Sequence, residues 1–326
     1  MDLFVMDADR QVRQRVRSFD MDLAFGADEN DFSLSVFEPC VIGPGCYVFV
    51  PGTEYGGVVT KLKPSRTSAG EAMSFEGQTW HGMLNDHVIA PDSGRAHYRP
   101  SGDADEVIGL LIGRLGIGDL FATYTTAGAS ATGAFRYSSC YDGICDMLRK
   151  IGYRLSLSFD VKSRKCLLHA VPAKKFGDVA GMTGHTPYSA TLEYRPYNHI
   201  VALGKGEGKD RAVANLFADV DGNVSTTQTL AGVLERTYVY DTGGTGEDEL
   251  EEKAREKFAD VRESNSVDVS LDYSDGISVG DSVTVISAFA GIKTTVTVSK
   301  LVVKVEDGHA TVAPDFATAR ALEDYD

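Results

Sequence analysis

Alternating polar and apolar positions dominate the first hundred residues. "DMDLAF" (20–25) and "DFSLSVF" (31–37) repeat with period two, the mark of half-buried strands. The turn-forming cluster "GADEN" separates them. "GCYVFVPGTEYGGVVTKLK" (45–63) reads as a strand pair around a Pro-Gly loop, and "AMSFEGQTW" (72–80) as one more strand.

The period changes after residue 95. Asp103 caps a helix, with Glu106 as its capping-box partner. Val107, Ile108, Leu111, Ile112 and Leu115 line one face of that helix, and Gly116 suits a left-handed stop. A second helix starts at Ser139, carries the stripe Tyr141, Ile144, Cys145, Leu148 and Ile151, and ends by Gly152. A hairpin follows: "RLSLSF" alternates, "DVKSRK" turns and "CLLHAV" returns.

Strand patterns resume at "ATLEY", "HIVALG" and "AVANLFA", with a turn at Asp221-Gly222. Residues 247–262 then form a helix with a narrow stripe: Leu250, Ala254, Phe258 and Val261. Glu249–Lys253 and Glu251–Arg255 are favourably oriented i,i+4 pairs, so most of its circumference is wet. From 266 onward "VDVSLDY", "ISVGDSVTVIS", "KTTVTVSKLVVKV" and "HATVAP" read as consecutive antiparallel strands, consistent with a small barrel. The polar end "ATARALEDYD" is expected to be a loose tail over 319–326.

The expected fold class is therefore α+β and β-rich, in several pieces. These are a first β-barrel (1–95), an α+β insert (96–187), a second β-barrel from 188–235 and 264–318, and a helical insert (236–263).

Composition narrows the function. The chain has 326 residues, 43% hydrophobic, enough for substantial cores. The net charge of -15 argues against gripping nucleic acid by neutralising phosphates. No run of 18 apolar residues occurs, so no membrane span is expected. The first residues lack the apolar core of a signal peptide, so synthesis in the cytoplasm is expected. Cys40, Cys46, Cys140, Cys145 and Cys166 are too few and scattered for a disulfide framework and read as small core residues.

Candidate chemistry fails on spacing. In "VALGKGEGKDR" (201–211), Gly208-Lys209 is followed by Asp210, where a phosphate loop needs Ser or Thr. Gly204, Gly206 and Gly208 also miss the dinucleotide spacing. "TWHGMLNDH" (79–87) holds the only Trp, with His81, Asp86 and His87. The two histidines stand six apart with no placed glutamate, so a strand end and short helical turn packing Trp80 and Leu84 is the better reading. "DVDGN" (219–223) has its glycine at position four rather than six of a calcium loop, so it reads as a β-turn. "GHTPYS" (184–189) has one His and no partner. A meeting of Cys140, Cys145 and His169 would suggest a thiol hydrolase, but helical stripes already explain both cysteines. No catalytic, cofactor-binding or metal residue is assigned, and no cofactor is expected.

The arrangement resembles the tail hub, or tail-associated, proteins of bacteriophages and prophages. The likeness is carried by "RVRSFDMDLAFGADENDFSLSV" (15–36), "GCYVFVPGTEYGGVVTKLK" (45–63), "NHIVALGKGEGKDRAV" (198–213) and the closing "ISVGDSVTVISAFAGIKTTVTVSKLVVKVEDGHATVAPDF" (277–316). This resemblance implies two tube-type barrels with α/β attachments. It implies a homotrimer whose six barrels form a ring continuing the tail tube at the virion tail tip. Implied partners are the tail tube and distal tail proteins, with tape measure or fibre proteins beside them, and no stable nucleic-acid binding. It implies a structural protein and not an enzyme. On it, residues 204–208 are a strand-end bend and Arg211 a structural or interfacial cation. The alternatives are a tail peptidoglycan hydrolase and a carbohydrate-binding attachment module, for which the Tyr-rich "YSATLEYRPYNH" (188–199) is the aromatic candidate.

Overall fold

The computed structural model describes residues 1–67, 70–124, 126–176, 188–191, 196–220, 222–262, 266–269, 276–287, 292–316 and 323–324. The chain divides into two compact units. One comprises 1–187 and 269–317, and the other is built mainly from 188–268.

The first unit opens with strands β1 (Leu3–Met6), β2 (Val12–Val16), β3 (Phe19–Gly26), β4 (Asp31–Val36), β5 (Tyr47–Phe49), β6 (Gly56–Thr67) and β7 (Gly70–Thr79). Helix α1 (Trp80–Asn85) follows β7 without a break. Alternation does what it predicts: Phe19, Met21, Leu23, Phe25, Phe32 and Leu34 are all buried. β3 and β4 pair from Phe19↔Val36 to Ala24↔Asp31. The turn between them is tied by Asn30, whose side chain bonds both the N–H and the carbonyl of Gly26.

Helix α2 (Ala104–Leu115) starts in the expected capping box, Asp103 with Glu106, and stops at Gly116 with φ 69°. β8 (Phe121–Thr123) leads to helix α3 (Cys140–Arg149), capped by Ser139. The hairpin β9 (Tyr153–Asp160) and β10 (Lys165–Pro172) follows, with β8 parallel to β10. Leu155, Leu157, Phe159, Cys166, Leu168 and Ala170 face the helix stripes. The same core contains Met6, Phe49, Trp80 and Leu84 from the N-terminal strands and α1. A boundary at 95 therefore cuts through one core rather than between two.

The second unit is a four-stranded sheet: β11 (His199–Leu203), β12 (Val213–Ala218), β13 (Val224–Ser225) and β14 (Thr237–Asp241). β11 lies between antiparallel β12 and parallel β14, and β13 flanks β12. Helix α4 (Glu247–Arg262) covers one face, packing Leu250, Ala254 and Phe258 on Ile200, Ala202, Leu216 and Ala218. The helix expected as an outlying insert thus completes this unit's core. Its two predicted ion pairs form, Glu249–Lys253 at 3.9 Å and Glu251–Arg255 at 2.7 Å.

The closing strands β15 (Ser282–Ser287), β16 (Ile292–Glu306) and β17 (His309–Phe316) return to the first unit. β16 pairs with β15, with β17 and, from Lys300↔Gly26 to Val305↔Met21, with β3. Leu301, Val303 and Val305 are buried there. This corrects the expected second β domain. Residues 282–316 complete the N-terminal sheet, because β3 would otherwise present an open edge beside a bare core. Fully burying each such aliphatic side chain is worth about 1.5–3 kcal/mol. The sheet runs Lys175–Phe176, β15, β16, β3, β4, β7, β6, β5, β1, β2, with β17 beside β16. Among the described residues this path does not close into a barrel. The expected loop 184–189 and tail 319–326 fall mostly outside the described residues.

Candidate functional site

The residues singled out for chemistry have separate structural partners. Thr79 caps α1 by accepting from Gly82 N at 3.3 Å. Trp80, His81 and Leu84 are buried behind it. The His81 ring stacks on Phe25, centroids 4.4 Å apart and 4° between planes, and meets Tyr141 edge-on. Its Nε2 lies 3.3 Å from Glu54 Oε2. His87 instead places Nδ1 2.9 Å from the Met83 carbonyl, and Asp86 is exposed. Among the described residues no group of three or more His, Cys, Asp or Glu side chains gathers as metal ligands would.

Cys140 and Cys166 are buried in the core and Cys145 packs against it, whereas Cys40 and Cys46 are only partly buried. Burial pushes the thiols of Cys140 and Cys145 up to about 12 and that of Cys166 well above the usual range. Thiolate nucleophiles need the opposite shift. His169 is paired with Asp105: Nδ1 lies 2.6 Å from Oδ2 of a fully buried carboxylate. Asp105 Oδ1 accepts the Ala170 N–H at 2.8 Å. The β8–β10 ladder ends at Thr123↔Leu168, so this carboxylate takes over two residues beyond the last strand pair. Sequence reasoning missed the pair. Asp105 sits in the first turn of a helix, where an acid reads as a solvated complement to the dipole.

The glycine-rich loop is the turn between β11 and β12. Gly204 N bonds Ala212 O, Ala212 N bonds Lys205 O, and Lys205 N bonds Thr245 O, all within 2.9 Å. Those N–H groups are used by the backbone rather than aimed at an anion. Gly206 has φ 110°, and a Cβ there would meet the Asp210 carbonyl at 2.5 Å. Arg211 donates from Nε to Gly204 O at 3.1 Å and pairs with Asp241. The 219–223 turn is tied by Asn223 N donating to Asp219 Oδ1 at 2.8 Å. Of the Tyr-rich stretch, Tyr197 packs edge-on against Tyr238 beneath Arg236, and residues 192–195 lie outside the described set.

What the fold does assemble is surface. A groove of about 760 Å³ opens on the polar face of the large sheet, lined by Asp22, Asp28, Glu29, Asp31, Glu76 and Asp86 with Lys61 as its lysine. Desolvation, then Glu29 and Glu76, raise the Asp31 carboxyl above its ordinary value. Such a wall repels polyanions. Beside it, β6 and β7 outrun their neighbours. β5 pairs with β6 only as far as Val58, and β4 with β7 only as far as Ser74, while the hairpin continues to Thr67↔Gly70.

No protein-family model and no curated protein sequence matches the chain. Solved structures do. The 43 kDa tail protein of prophage MuSo2 from Shewanella oneidensis is 12% identical, with 97% of this chain and 98% of that one covered at a TM-score of 0.53. A tail protein from Neisseria meningitidis is 14% identical over 97% and 96% of the two chains, TM-score 0.49. A prophage tail protein from Listeria monocytogenes is 13% identical over 97% and 94%, TM-score 0.49. At this identity a likeness speaks for architecture alone. The architecture, followed nearly end to end, is the one found in the Shewanella prophage tail protein.

Proposed function

We propose that the chain is a structural component of a phage or prophage tail, forming the hub ring at the tail tip that continues the tail tube. One observation carries this reading: the likeness to the Shewanella tail protein spans 97% and 98% of the two chains, so a whole layout is shared rather than a module. Three copies close the ring. The two sheets of each copy stand in for two tube-type β domains, and the open sheet ends supply the contacts between copies. The tail tube, distal tail, and tape measure or fibre proteins are the neighbours on either side. The acidic groove is placed toward the passing DNA, where like charges keep the channel non-adhesive. The role is mechanical, so no catalytic residue is assigned.

Gold-labelled antibody against the chain, applied to purified tails, tests the reading by electron microscopy. Label at the distal end is expected. Label along the shaft, or tails that lack the protein, would sink it.

A further inference from the structure

The stretch "VGDSV" (279–283), which opens β15, carries a buried charge that the tail role does not use. Asp281 is fully buried. Its Oδ1 accepts the Lys174 N–H at 2.8 Å, and its Oδ2 accepts the Ser278 N–H at 2.9 Å. Arg154 Nε, on β9, lies 2.8 Å from the same Oδ1. One carboxylate thus joins β9, the chain just after β10 and the chain just before β15.

The backbone repeats the tie. Ser282 N donates to Lys174 O at 2.9 Å, and Lys175–Phe176 then runs parallel to Ser282–Val283. Lys174 Nζ donates to Gly276 O at 2.9 Å. Gly280 N donates to Val298 O and Val298 N to Asp281 O, which fastens the turn to β16. Gly280 has φ 93°, and a Cβ there would lie 2.8 Å from Arg154 Cβ, so a glycine is needed for the turn to come this close to β9. These ties stand at a particular place in the chain. Residues 188–268 build the second unit. The chain goes out to it by Lys174–Phe176 and comes back by Gly276–Ser282, and both segments belong to the first unit. The outgoing strand is only two residues long and would fray by itself. A buried ion pair resists fraying, because opening it leaves a charge without its partner.

We propose that Asp281 is a lock at the root of the second unit. It stops an opening of residues 188–268 from running along the outgoing and returning segments into the large sheet. The device is conformational. The second unit loosens and recloses, as the less stable parts of a protein do, while β15, β16 and β3 stay paired. The lock is independent of the tail reading and goes beyond it.

Hydrogen exchange of the full-length chain at rising, sub-denaturing urea, read by mass spectrometry, tests it. In the unaltered chain, peptides from β11 and β12 are expected to open at lower urea than peptides from β3 and β16. The root peptides, spanning Lys174–Phe176 and Ser282–Ser287, are expected to open with β3 and β16. In Asp281→Ala the root peptides are expected to exchange about 10-fold faster or more and to open with β11 and β12, while β3 keeps its protection. If Asp281→Ala does not fold, Asp281→Asn takes its place. It keeps one acceptor oxygen and drops the charge pair, so the same order with a smaller gain is expected. Root peptides that already open with β11 and β12 in the unaltered chain would overturn the proposal. So would root peptides whose exchange the substitution leaves unchanged, or all peptides opening together. A variant in which β3 and β16 speed up as much as the root would show general loss of stability in place of a lock, and would overturn it as well.

Discussion

Asp103 and Asp105 stand two residues apart at the start of α2 and do different work. Asp103 accepts from Ala127 N, Gly128 N and the Thr126 hydroxyl as well as from the helix. Those bonds, the Ala127 N–H first, hold its carboxyl at about 2, against an unfolded value of roughly 4. A depressed carboxyl contributes stability above its unfolded value and loses it as pH falls through the folded one. The melting temperature should therefore drop between about pH 4 and pH 2, and less in Asp103→Asn than in the unaltered chain. Equal slopes for the two proteins would count against the role given to this carboxylate. Asp105 is buried, and Asp105→Ala strips the Ala170 N–H and His169 Nδ1 of their partner at once. His169 keeps access to water, so the main cost is the orphaned Ala170 N–H, about 1–3 kcal/mol. Urea unfolding of the full chain measures it, and a loss under about 1 kcal/mol would show that water replaces the carboxylate.

At the scale of elements, helices were legible because their signals are local. Asp103, Glu106, Gly116 and Ser139 mark ends by bonds made within four residues. The hairpin β9–β10 was equally plain, its pairing running from Tyr153↔Pro172 to Asp160↔Lys165. The β6–β7 arm was not legible in full. Its second strand was read from residue 72 only, and nothing local says that β4 and β5 stop short of it. The base of the arm depends on close approach. A Cβ on Gly57 would collide with the Gln78 carbonyl, and one on Gly77 with the Phe32 ring and the Val58 carbonyl. Gly57→Ala should cost about 1–3 kcal/mol, as forced overpacking does, and lower the melting temperature. A melting temperature equal to that of the unaltered chain would mean the strands part without penalty.

On the scale of the whole molecule, the return of β16 to β3 decides what folds alone. A fragment ending at residue 187 keeps every N-terminal strand and helices α1, α2 and α3 of the first unit. It lacks β16, leaving Met21, Leu23 and Phe25 beside an open strand edge. Exposed edges with apolar faces template aggregation. Expressed by itself, fragment 1–187 should be insoluble or lack cooperative melting. A soluble fragment with a sharp transition would show that the expected pieces 1–95 and 96–187 fold without the closing strands.

The sequence alone determined helices α2, α3 and α4, the β3–β4 pair and the β9–β10 hairpin with their buried faces, because period, caps and turn residues act over a few positions; it did not mark β1, β2 or β14. It also excluded a phosphate loop, since spacing is a property of sequence. Only tertiary structure decided that 282–316 joins the N-terminal sheet, that α4 closes the β11–β14 sheet, and that Asp105 holds His169. Strand partners are chosen by which apolar faces remain uncovered, a question settled between segments hundreds of residues apart. No local pattern encodes that choice. The alternation that marks a strand is the same whichever neighbour it takes.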